Sequence, residues 1–330
     1  MVYFAMRVLI GLMWVLHWLP LPVLGRIGAG AGWLVFVLAH SRRHIALTNL
    51  RLCFPEMPEL NRRQLALQHF QAYLRSVLER GVLWWASEHR LRRLIVVETA
   101  CSLAQVQQEP TIFLCPHFVS LDVAGVALAL DASGCSIYSR QSSPVLDQAL
   151  RKGRSRFKPT ALFSRSDGIK PILRAMRNGL PFFMCPDMDF GAKNAEFIPF
   201  FGVPAATLTA PARLAAVTGA RVIPVIATAL PNYQGWKVEF YSPWYEFADA
   251  GIAQSAQRMN RFIEEQILKT PAEYLWTHRR FKTRPSGQPD VYARAVAEPE
   301  PAMVKQKGAL VGRLKTTLAG LASAAQTVKP

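Results

Sequence analysis

The chain has 330 residues, of which 51% are apolar, 10% aromatic and 18% charged, and this composition excludes an intrinsically disordered protein. The 39 lysines and arginines outnumber the 22 aspartates and glutamates and give a net charge of +17. An anionic partner is therefore expected: nucleic acid, anionic lipid or an acidic protein. The five cysteines are odd in number and fall in no zinc-binding spacing, which indicates a reducing compartment rather than a disulfide-bonded fold.

The apolar surplus is concentrated near the N-terminus, where residues 8–24 carry no formal charge and a second apolar run follows at 27–39. The first run is short for a complete span, which needs about 20 apolar residues. We therefore predict that residues 1–40 form a membrane anchor that either spans the bilayer or lies in it. Arg42 and Arg43, directly after it, favour a cytoplasmic location for the rest of the chain. A buried helical hairpin of a soluble protein is the alternative, and a cleaved signal peptide is disfavoured because no convincing cleavage site follows.

The middle of the chain alternates short β-branched runs with helical stretches, after a helix predicted to begin near Asn61. Strands are predicted at 94–97, 111–115, 136–139, 181–185, 221–227 and 237–241. Helices are predicted at 120–130, 169–178, 208–218 and 253–268. This alternation is typical of an α/β fold with a mixed, mostly parallel sheet flanked by helices. The predicted domains are the anchor at 1–40, an α/β domain at 41–294, and a poorly ordered, Ala/Pro-rich basic tail at 295–330.

One strand–loop–helix junction carries the residues best suited to proton transfer. The segment TIFLCPHFVSLD places His117 after an apolar strand and Asp122 at the start of a helix. On one continuous helix the two side chains would lie about 140° apart, so they meet only if a turn separates them. Imidazole beside carboxylate suits a general base and the group that orients it. The alternative is a structural loop histidine beside a helix-capping acid, because His-x4-Asp also occurs by chance.

Three further stretches carry clustered charge. Residues 151–177 hold nine basic residues against one acid, an imbalance that favours phosphate binding over a solvated helix face. A second strand–Cys–Pro pattern precedes Asp187 and Asp189, which we expect to pair with arginines rather than to bind a metal. In the segment PAEYLWTHRRFKTRP, Arg279 and Arg280 either clamp a phosphate or stack on aromatic rings in a structural lid.

Four ordered segments, HFVSLD, PDMDFG, FFGVPAATLT and PAEYLWTHRRFKTRP, together resemble the late (secondary) acyltransferases of bacterial lipid A biosynthesis. That family lies within the His-x4-Asp/Glu group of glycerolipid acyltransferases. The resemblance runs from near the N-terminus to about Tyr292 and implies an α/β acyltransferase domain in an inner-membrane enzyme whose catalytic face is cytoplasmic. It implies transfer of a fatty acyl chain from acyl carrier protein to a hydroxyl of a hydroxyacyl chain on the Kdo-bearing lipid A precursor. The DMDFG segment departs from the lauroyl-transferring members, so the acyl length and the acylated position stay unassigned.

The residues and the resemblance together lead to one mechanistic hypothesis. His117 removes the proton of the acceptor hydroxyl, Asp122 orients His117, and the direct transfer from a thioester needs no metal or other cofactor. Several cationic and acidic residues are predicted to bind substrate: Arg154, Asp187, Arg140, Arg165, Asp189, Arg279 and Arg280. The expected partners are acyl carrier protein, the lipid A precursor and the anionic lipid of the inner membrane.

Three alternatives remain open on the sequence alone. The nearest is a related acyltransferase that acts on another glycolipid or on a lysophospholipid, with acyl carrier protein or coenzyme A as the donor. A nucleic-acid-binding protein would explain the charge but not the apolar N-terminus, and the sequence contains no recognised nucleic-acid-binding motif. A non-catalytic membrane scaffold would tolerate the loss of His117.

Overall fold

The computed structural model describes residues 2–103, 106–193 and 195–293; the predicted tail at 295–330 lies outside them. Within these ranges the helices are α1 (Val2–Leu16), α2 (Leu21–Leu38), α3 (His40–Cys53), α4 (Glu59–Trp85), α5 (Glu88–Leu94), α6 (Leu121–Asp131), α7 (Pro144–Arg154), α8 (Lys170–Arg177), α9 (Ala210–Thr218) and α10 (Ile252–Lys269). The strands are β1 (Ile95–Thr99), β2 (Thr111–Leu114), β3 (Gly134–Tyr138), β4 (Thr160–Ser164), β5 (Phe182–Met184), β6 (Ala195–Phe200), β7 (Val203–Leu208), β8 (Arg221–Ala229) and β9 (Trp236–Phe240).

Seven strands form one mixed sheet in the order β1–β9–β8–β2–β5–β3–β4. All neighbouring strands in it are parallel except β8 and β9, which are antiparallel. Strands β6 and β7 form a separate antiparallel hairpin. The predicted α/β class with a mixed, mostly parallel sheet flanked by helices is confirmed, whereas β4 and the β6–β7 hairpin were not predicted.

The central strand β2 shows how the sheet separates two apolar cores. Ile112 and Leu114 belong to one buried cluster, whereas Phe113 and Cys115 belong to the other. All four are at most 1% exposed. Since successive side chains of a strand point to opposite faces, an unbroken apolar run is what a strand covered on both sides requires.

Helix α4 begins two residues before the predicted Asn61. Its N-cap is Pro58, which has extended backbone angles and makes no side-chain capping bond. Glu59 follows in the first turn, where a carboxylate interacts favourably with the helix dipole. It also forms ion pairs with Arg51 and Arg62. These contacts stabilise the first turn of the helix, which lies just before the predicted start.

The two N-terminal helices pack against the body of the protein, in the same compact unit that extends to Tyr292. Helix α2 lies along α4, and its glycines permit the close approach. A Cβ atom on Gly28 would lie 2.5 Å from Cα of Arg75, and one on Gly32 would lie 2.5 Å from Cα of Gln71. A larger residue at either glycine would therefore push the two helices apart. The predicted domain boundaries at 40 and 294 stay predictions.

The opposite sides of α1 and α2 expose large apolar side chains. Leu21–Leu38 has a mean hydropathy of 1.7 over 18 residues and is long and apolar enough to cross a membrane. The exposed large residues of this hairpin are Tyr3, Phe4, Val8, Leu9, Leu12, Trp14, Val15, Trp18, Val23, Ile27, Trp33, Leu34, Val37 and Leu38. An apolar surface of this extent is unusual in water and marks a contact with lipid or another apolar partner.

Candidate active site

The candidate site lies where two neighbouring parallel strands end. Strands β2 and β5 pair in a register that sets Leu114 opposite Met184. Each strand is followed by Cys-Pro and then an ionisable residue, so His117 and Asp187 both lie three positions beyond this pair. Because the carboxyl ends of parallel strands meet at one edge of a sheet, the repeated pattern brings these two side chains together.

The Asp187 carboxylate holds both the backbone and the ring of His117. Its Oδ2 accepts the His117 backbone N–H at 2.9 Å, and its Oδ1 lies 2.7 Å from the ring Nδ1. Burial alone would raise the pKa of the Asp187 carboxyl, but the facing imidazole and its hydrogen bonds hold that pKa well below its usual range. An ionised carboxylate at Nδ1 keeps the proton on that nitrogen, which leaves the lone pair of Nε2 available as a base.

Asp122 contacts two arginines. Its Oδ2 accepts Nε–H of Arg80 at 2.9 Å, and its Oδ1 accepts an Nη2–H of Arg154 at 2.6 Å. The structure thus corrects the predicted contact between Asp122 and His117, because Asp187 already occupies Nδ1 of the ring. Burial would raise the pKa of Asp122, but the Arg154 and Arg80 guanidiniums outweigh it and lower the pKa to about 2. Asp122 is therefore ionised at neutral pH, and its place in catalysis stays a prediction.

Arg80 is the site residue that the sequence analysis missed. It belongs to α4, whose sequence predicted a helix from its apolar period but gave no sign of a functional side chain. Arg154, by contrast, was predicted and closes α7. The two arginines come from different helices and meet only because both helices pack beside the start of α6.

A cavity of about 810 Å³ opens beside His117, and we call it the His117 cavity. Asp122, Arg80 and Arg154 contribute to its wall together with His117. Most of the remaining wall is apolar and includes Val126, Ile137, Leu162, Ile172, Phe182 and Leu214. A mainly apolar cavity with a few convergent polar groups suits a long-chain substrate whose polar end reaches His117.

A segment after α10 fixes the loop that carries His117. The Leu275 N–H donates to the His117 carbonyl at 2.9 Å, and the Val119 N–H donates to the Glu273 carbonyl at 2.7 Å. We call residues 273–276 the strap. Because the strap bonds to the residues on either side of Phe118, it limits how far the His117 backbone can move.

Asn49 anchors the strap from α3. Its Nδ2 donates to the carbonyls of Trp276 and His278, both at 2.8 Å, and its Oδ1 accepts the Tyr292 hydroxyl at 2.5 Å. Asn49 is 1% exposed, so these bonds form away from solvent. Every polar atom of this side chain is therefore used to hold the segment that follows α10.

The remaining predicted substrate-binding residues lie in different places. Arg165 lines the His117 cavity, with its guanidinium carbon 4.1 Å from the centroid of the Phe190 ring. Arg140 lines a second cavity beside α7. Asp189 accepts the backbone N–H and the hydroxyl of Thr283 at 2.6 and 2.7 Å, so its contacts support a role in holding the loop rather than in binding substrate.

The aromatic, basic segment near the C-terminal end of the described chain places its two neighbouring arginines differently. Arg279 is exposed and stacks over Tyr292 at 5.6 Å. Arg280 is 1% exposed and donates to the Ala206 carbonyl at 3.0 Å and to Thr207 Oγ1 at 3.2 Å. The phosphate-clamp interpretation is therefore wrong for Arg280, whose guanidinium lies in the core instead of at a surface.

Cys115 ends the run that leads to His117 and is 1% exposed. Burial raises the pKa of its thiol well above the usual value, and a thiol in this state is a poor nucleophile. Cys115 is thus unsuited to carrying an acyl group as a covalent relay. Within the described ranges, no three His, Cys, Asp or Glu side chains gather as a possible metal site.

A base aligned by a buried carboxylate at the edge of a largely apolar cavity belongs to an α/β enzyme that acts on long-chain substrates, and this is the class that the fold and the site define. The chain is a member of the bacterial lipid A biosynthesis acyltransferase family, whose family model matches residues 1–283.

Three relatives show the extent of the similarity. The lipid A biosynthesis lauroyltransferase of Escherichia coli K12 is 31% identical over 287 residues, which cover 86% of this chain and 93% of that protein. A lipid A biosynthesis acyltransferase of Haemophilus influenzae is 32% identical and covers 83% of this chain and 89% of its own length. The palmitoleoyltransferase of E. coli K12 is 31% identical, with 86% and 92% covered. Relatives named for different acyl chains are thus about equally similar to this protein.

Proposed function

We propose that this protein transfers a fatty acyl chain from acyl carrier protein to a hydroxyl of a hydroxyacyl chain on the Kdo-bearing lipid A precursor. The observation that carries the proposal is the His117 ring, whose Nδ1 is bound by the buried Asp187 and which lines a largely apolar cavity of about 810 Å³. Membership of the acyltransferase family supports the reaction type, and the names of the relatives support lipid A as the acceptor.

In the proposed reaction His117 acts first as a base and then as an acid. Nε2 takes the proton of the acceptor hydroxyl while its oxygen attacks the thioester carbonyl carbon. The tetrahedral intermediate collapses with cleavage of the C–S bond, and the sulfur leaves with the proton that the imidazolium returns. Asp187 stabilises the imidazolium that exists between these steps. The products are the new ester and the free thiol of the carrier.

The two arginines on Asp122 supply positive charge beside the reacting atoms. Each guanidinium has five N–H donors, and the bonds to Asp122 use one donor of Arg80 and one of Arg154. Because neither guanidinium has another hydrogen-bond partner among the described residues, the remaining donors are available to the oxyanion of the tetrahedral intermediate or to a phosphate of the acceptor. Asp122 holds both guanidiniums before substrate arrives, so that little reorganisation is needed during the reaction.

The proposed location is the inner membrane, with the catalytic body in the cytoplasm. The exposed apolar side chains of α1 and α2 support insertion into lipid. The tryptophans among them are suited to interfacial depth, and Arg42 and Arg43 follow the hairpin on the side favoured for the cytoplasm. The net charge of +17 supports attraction to anionic lipid as well as to the acidic carrier protein.

The test is acyl transfer measured by mass spectrometry. Membranes that contain the protein are incubated with the lipid A precursor and with a panel of acyl carrier protein thioesters. We expect the precursor to gain the mass of one acyl chain, and the gain identifies the preferred chain length. His117→Ala should lower the rate by about 10²- to 10⁴-fold, which is the usual contribution of a general base.

His89→Ala is the matched control, because His89 is an exposed histidine of α5 outside the cavity. It should retain the wild-type rate. Transfer only to a lysophospholipid or another glycolipid would replace the proposed acceptor. Undiminished transfer by His117→Ala would contradict the mechanism while leaving the family membership intact.

A further inference from the structure

A second cavity, of about 590 Å³, lies beside the outer face of α7, and we call it the α7 cavity. The connection from β3 to α7 and the helix itself form its wall. Gln141 lines both the α7 cavity and the His117 cavity, so the two are adjacent. A molecule held in the α7 cavity could therefore extend a flexible arm toward His117.

The α7 cavity carries uncompensated positive charge. Arg140, Arg151 and Lys152 line it and are exposed, and in the described part of the chain none of them forms an ion pair with a carboxylate. The one acid in the wall, Asp147, is 9% exposed and accepts the Gln141 backbone N–H at 2.8 Å. Three cations within one concave surface thus remain available to an anionic partner.

Arg151 and Lys152 lie on the side of α7 that faces away from the apolar hairpin. Leu146, Ala149 and Leu150 point from the other side of the helix into the core, and α1 and α4 pack against α7. An amphipathic helix presents opposite faces to its core and to its surroundings. The α7 cavity therefore opens toward water rather than toward the lipid that would cover the outer face of α1.

We propose that the α7 cavity is the docking site for the acidic carrier protein that brings the acyl thioester, an inference that rests on the proposed function. An acidic surface helix and the phosphodiester of the pantetheine arm would meet Arg140, Arg151 and Lys152. The arm would pass Gln141 into the His117 cavity. Helix α7 links the two places, because three residues beyond Arg151 it ends in Arg154, which bonds to Asp122. The rise between them is about 4.5 Å.

Charge and exposure favour a soluble acidic protein as the occupant. Exposed cations at the rim of an interface accelerate encounter and permit rapid release, as a donor that must leave after each turnover requires. The phosphates of the acceptor have separate candidate partners in Arg165 and Lys193, which line the His117 cavity. Anionic bilayer lipid would have to reach a surface on the far side of α7 from α1.

The test compares two double charge reversals in the full-length protein. R151E/K152E reverses two cations of the α7 cavity, and R258E/R261E reverses two exposed cations on α10, outside both cavities. Initial rates are measured against the concentrations of acyl carrier protein thioester and of lipid A precursor. For R151E/K152E we expect the KM for the carrier thioester to rise at least tenfold, with the KM for the acceptor and kcat changed less than about twofold. R258E/R261E should match wild type.

Salt provides a second measurement on the same proteins. The KM of wild type for the carrier thioester should rise with ionic strength, because salt screens exposed charges, and this dependence should be weaker in R151E/K152E. Equal donor KM values in the two double variants would overturn the docking site. If R151E/K152E raises only the KM for the acceptor, or no longer binds anionic lipid vesicles, the α7 cavity binds a lipid headgroup and the docking proposal is wrong. If wild type accepts acyl-coenzyme A but no carrier thioester, then the proposed function is wrong about the donor. This outcome is seen with wild type and does not depend on the variants.

Discussion

The two carboxylates of the candidate site have partners of different kinds. Asp187 faces an imidazole that gains a proton during the proposed reaction, whereas Asp122 faces two guanidiniums whose charge is permanent. Asp187 therefore stabilises a cation that exists for part of each turnover. Asp122 holds cations that are present throughout. In the proposed reaction Asp187 thus supports proton transfer, whereas Asp122 holds positive charge in place before the substrate binds.

Replacing Asp187 by asparagine should disable the base without removing the ring. The amide cannot stabilise an imidazolium at Nδ1 and favours the tautomer with a proton on Nε2. We expect kcat to fall by about 10²- to 10⁴-fold, with little change in the KM for either substrate. Steady-state rates with both substrates varied provide the measurement.

Asp131→Asn is the control for this variant, since Asp131 is a surface acid paired with Arg92 outside the His117 cavity. It should keep wild-type kcat. The opposite result would be a kcat within threefold of wild type for Asp187→Asn and no activity for Asp122→Asn. It would show that Asp122, rather than Asp187, orients the base.

At the scale of elements, the strap and its anchor determine the position of the His117 loop. Asn49 bonds to Trp276, the preceding residue Leu275 bonds to His117, and these contacts connect α3 to the end of β2. Asn49 therefore acts as a positioning residue. The contacts of this buried amide explain why an asparagine suits position 49 of the chain.

Asn49→Asp should lower activity by more than its loss of stability explains. The substitution sets a carboxylate oxygen against the carbonyls of Trp276 and His278 and leaves a buried group unsatisfied, at a cost of about 1–3 kcal/mol or more. We expect the strap to shift and kcat per folded molecule to fall about 10- to 100-fold. Circular dichroism gives the folded fraction. A change in the pH profile of kcat would show that His117 has been displaced.

Asn260→Asp is matched to it, because Asn260 is also fully buried and donates to the Pro199 carbonyl and to Thr207 Oγ1, on the β6–β7 side of the protein. It should lose similar stability but keep the kcat and the pH profile of its folded molecules. If both variants lose kcat alike, Asn49 has a structural role only.

The order of the elements also explains which parts of the site could be predicted. The alternation of strands and helices determined the α/β class, and His117 was found because a proline and a histidine after an apolar strand place a base at a sheet edge. Its partner depends on β2 and β5 being neighbours, a pairing across about 70 residues of sequence. The repeated strand–Cys–Pro pattern was the available signal. Arg80 gave none, since only the packing of α4 beside α6 brings it to Asp122.

For the molecule as a whole, Glu273 makes stability depend on pH. Its carboxyl accepts the Ala229 N–H at 3.0 Å, and burial raises its pKa from 4.5 to about 7. As the pH rises from 4.5 to about 7, Glu273 loses its proton in the unfolded chain at a lower pH than in the folded protein. The contribution of Glu273 is therefore full below about pH 4.5 and is lost as pH rises through about 7.

The free energy of unfolding of wild type should consequently fall relative to Glu273→Gln between pH 4.5 and 7, by up to about 3 kcal/mol. Urea titrations in detergent micelles at several pH values measure it. Glu56→Gln, at an exposed acid, should follow the wild-type curve. Parallel curves for wild type and Glu273→Gln would show that Glu273 titrates alike in the folded and unfolded chains.

The glycine contacts between α2 and α4 have a consequence for the evolution and handling of this enzyme. Met13, Leu21 and Leu24 from the hairpin belong to the same buried cluster as β9, and Gly28 and Gly32 lie against the backbone of α4. A chain shortened to begin after the hairpin would expose that side of α4 and lose part of its core. The two helices that we propose to hold the protein in lipid are therefore also part of its fold, and a water-soluble variant without them would need a redesigned surface on α4.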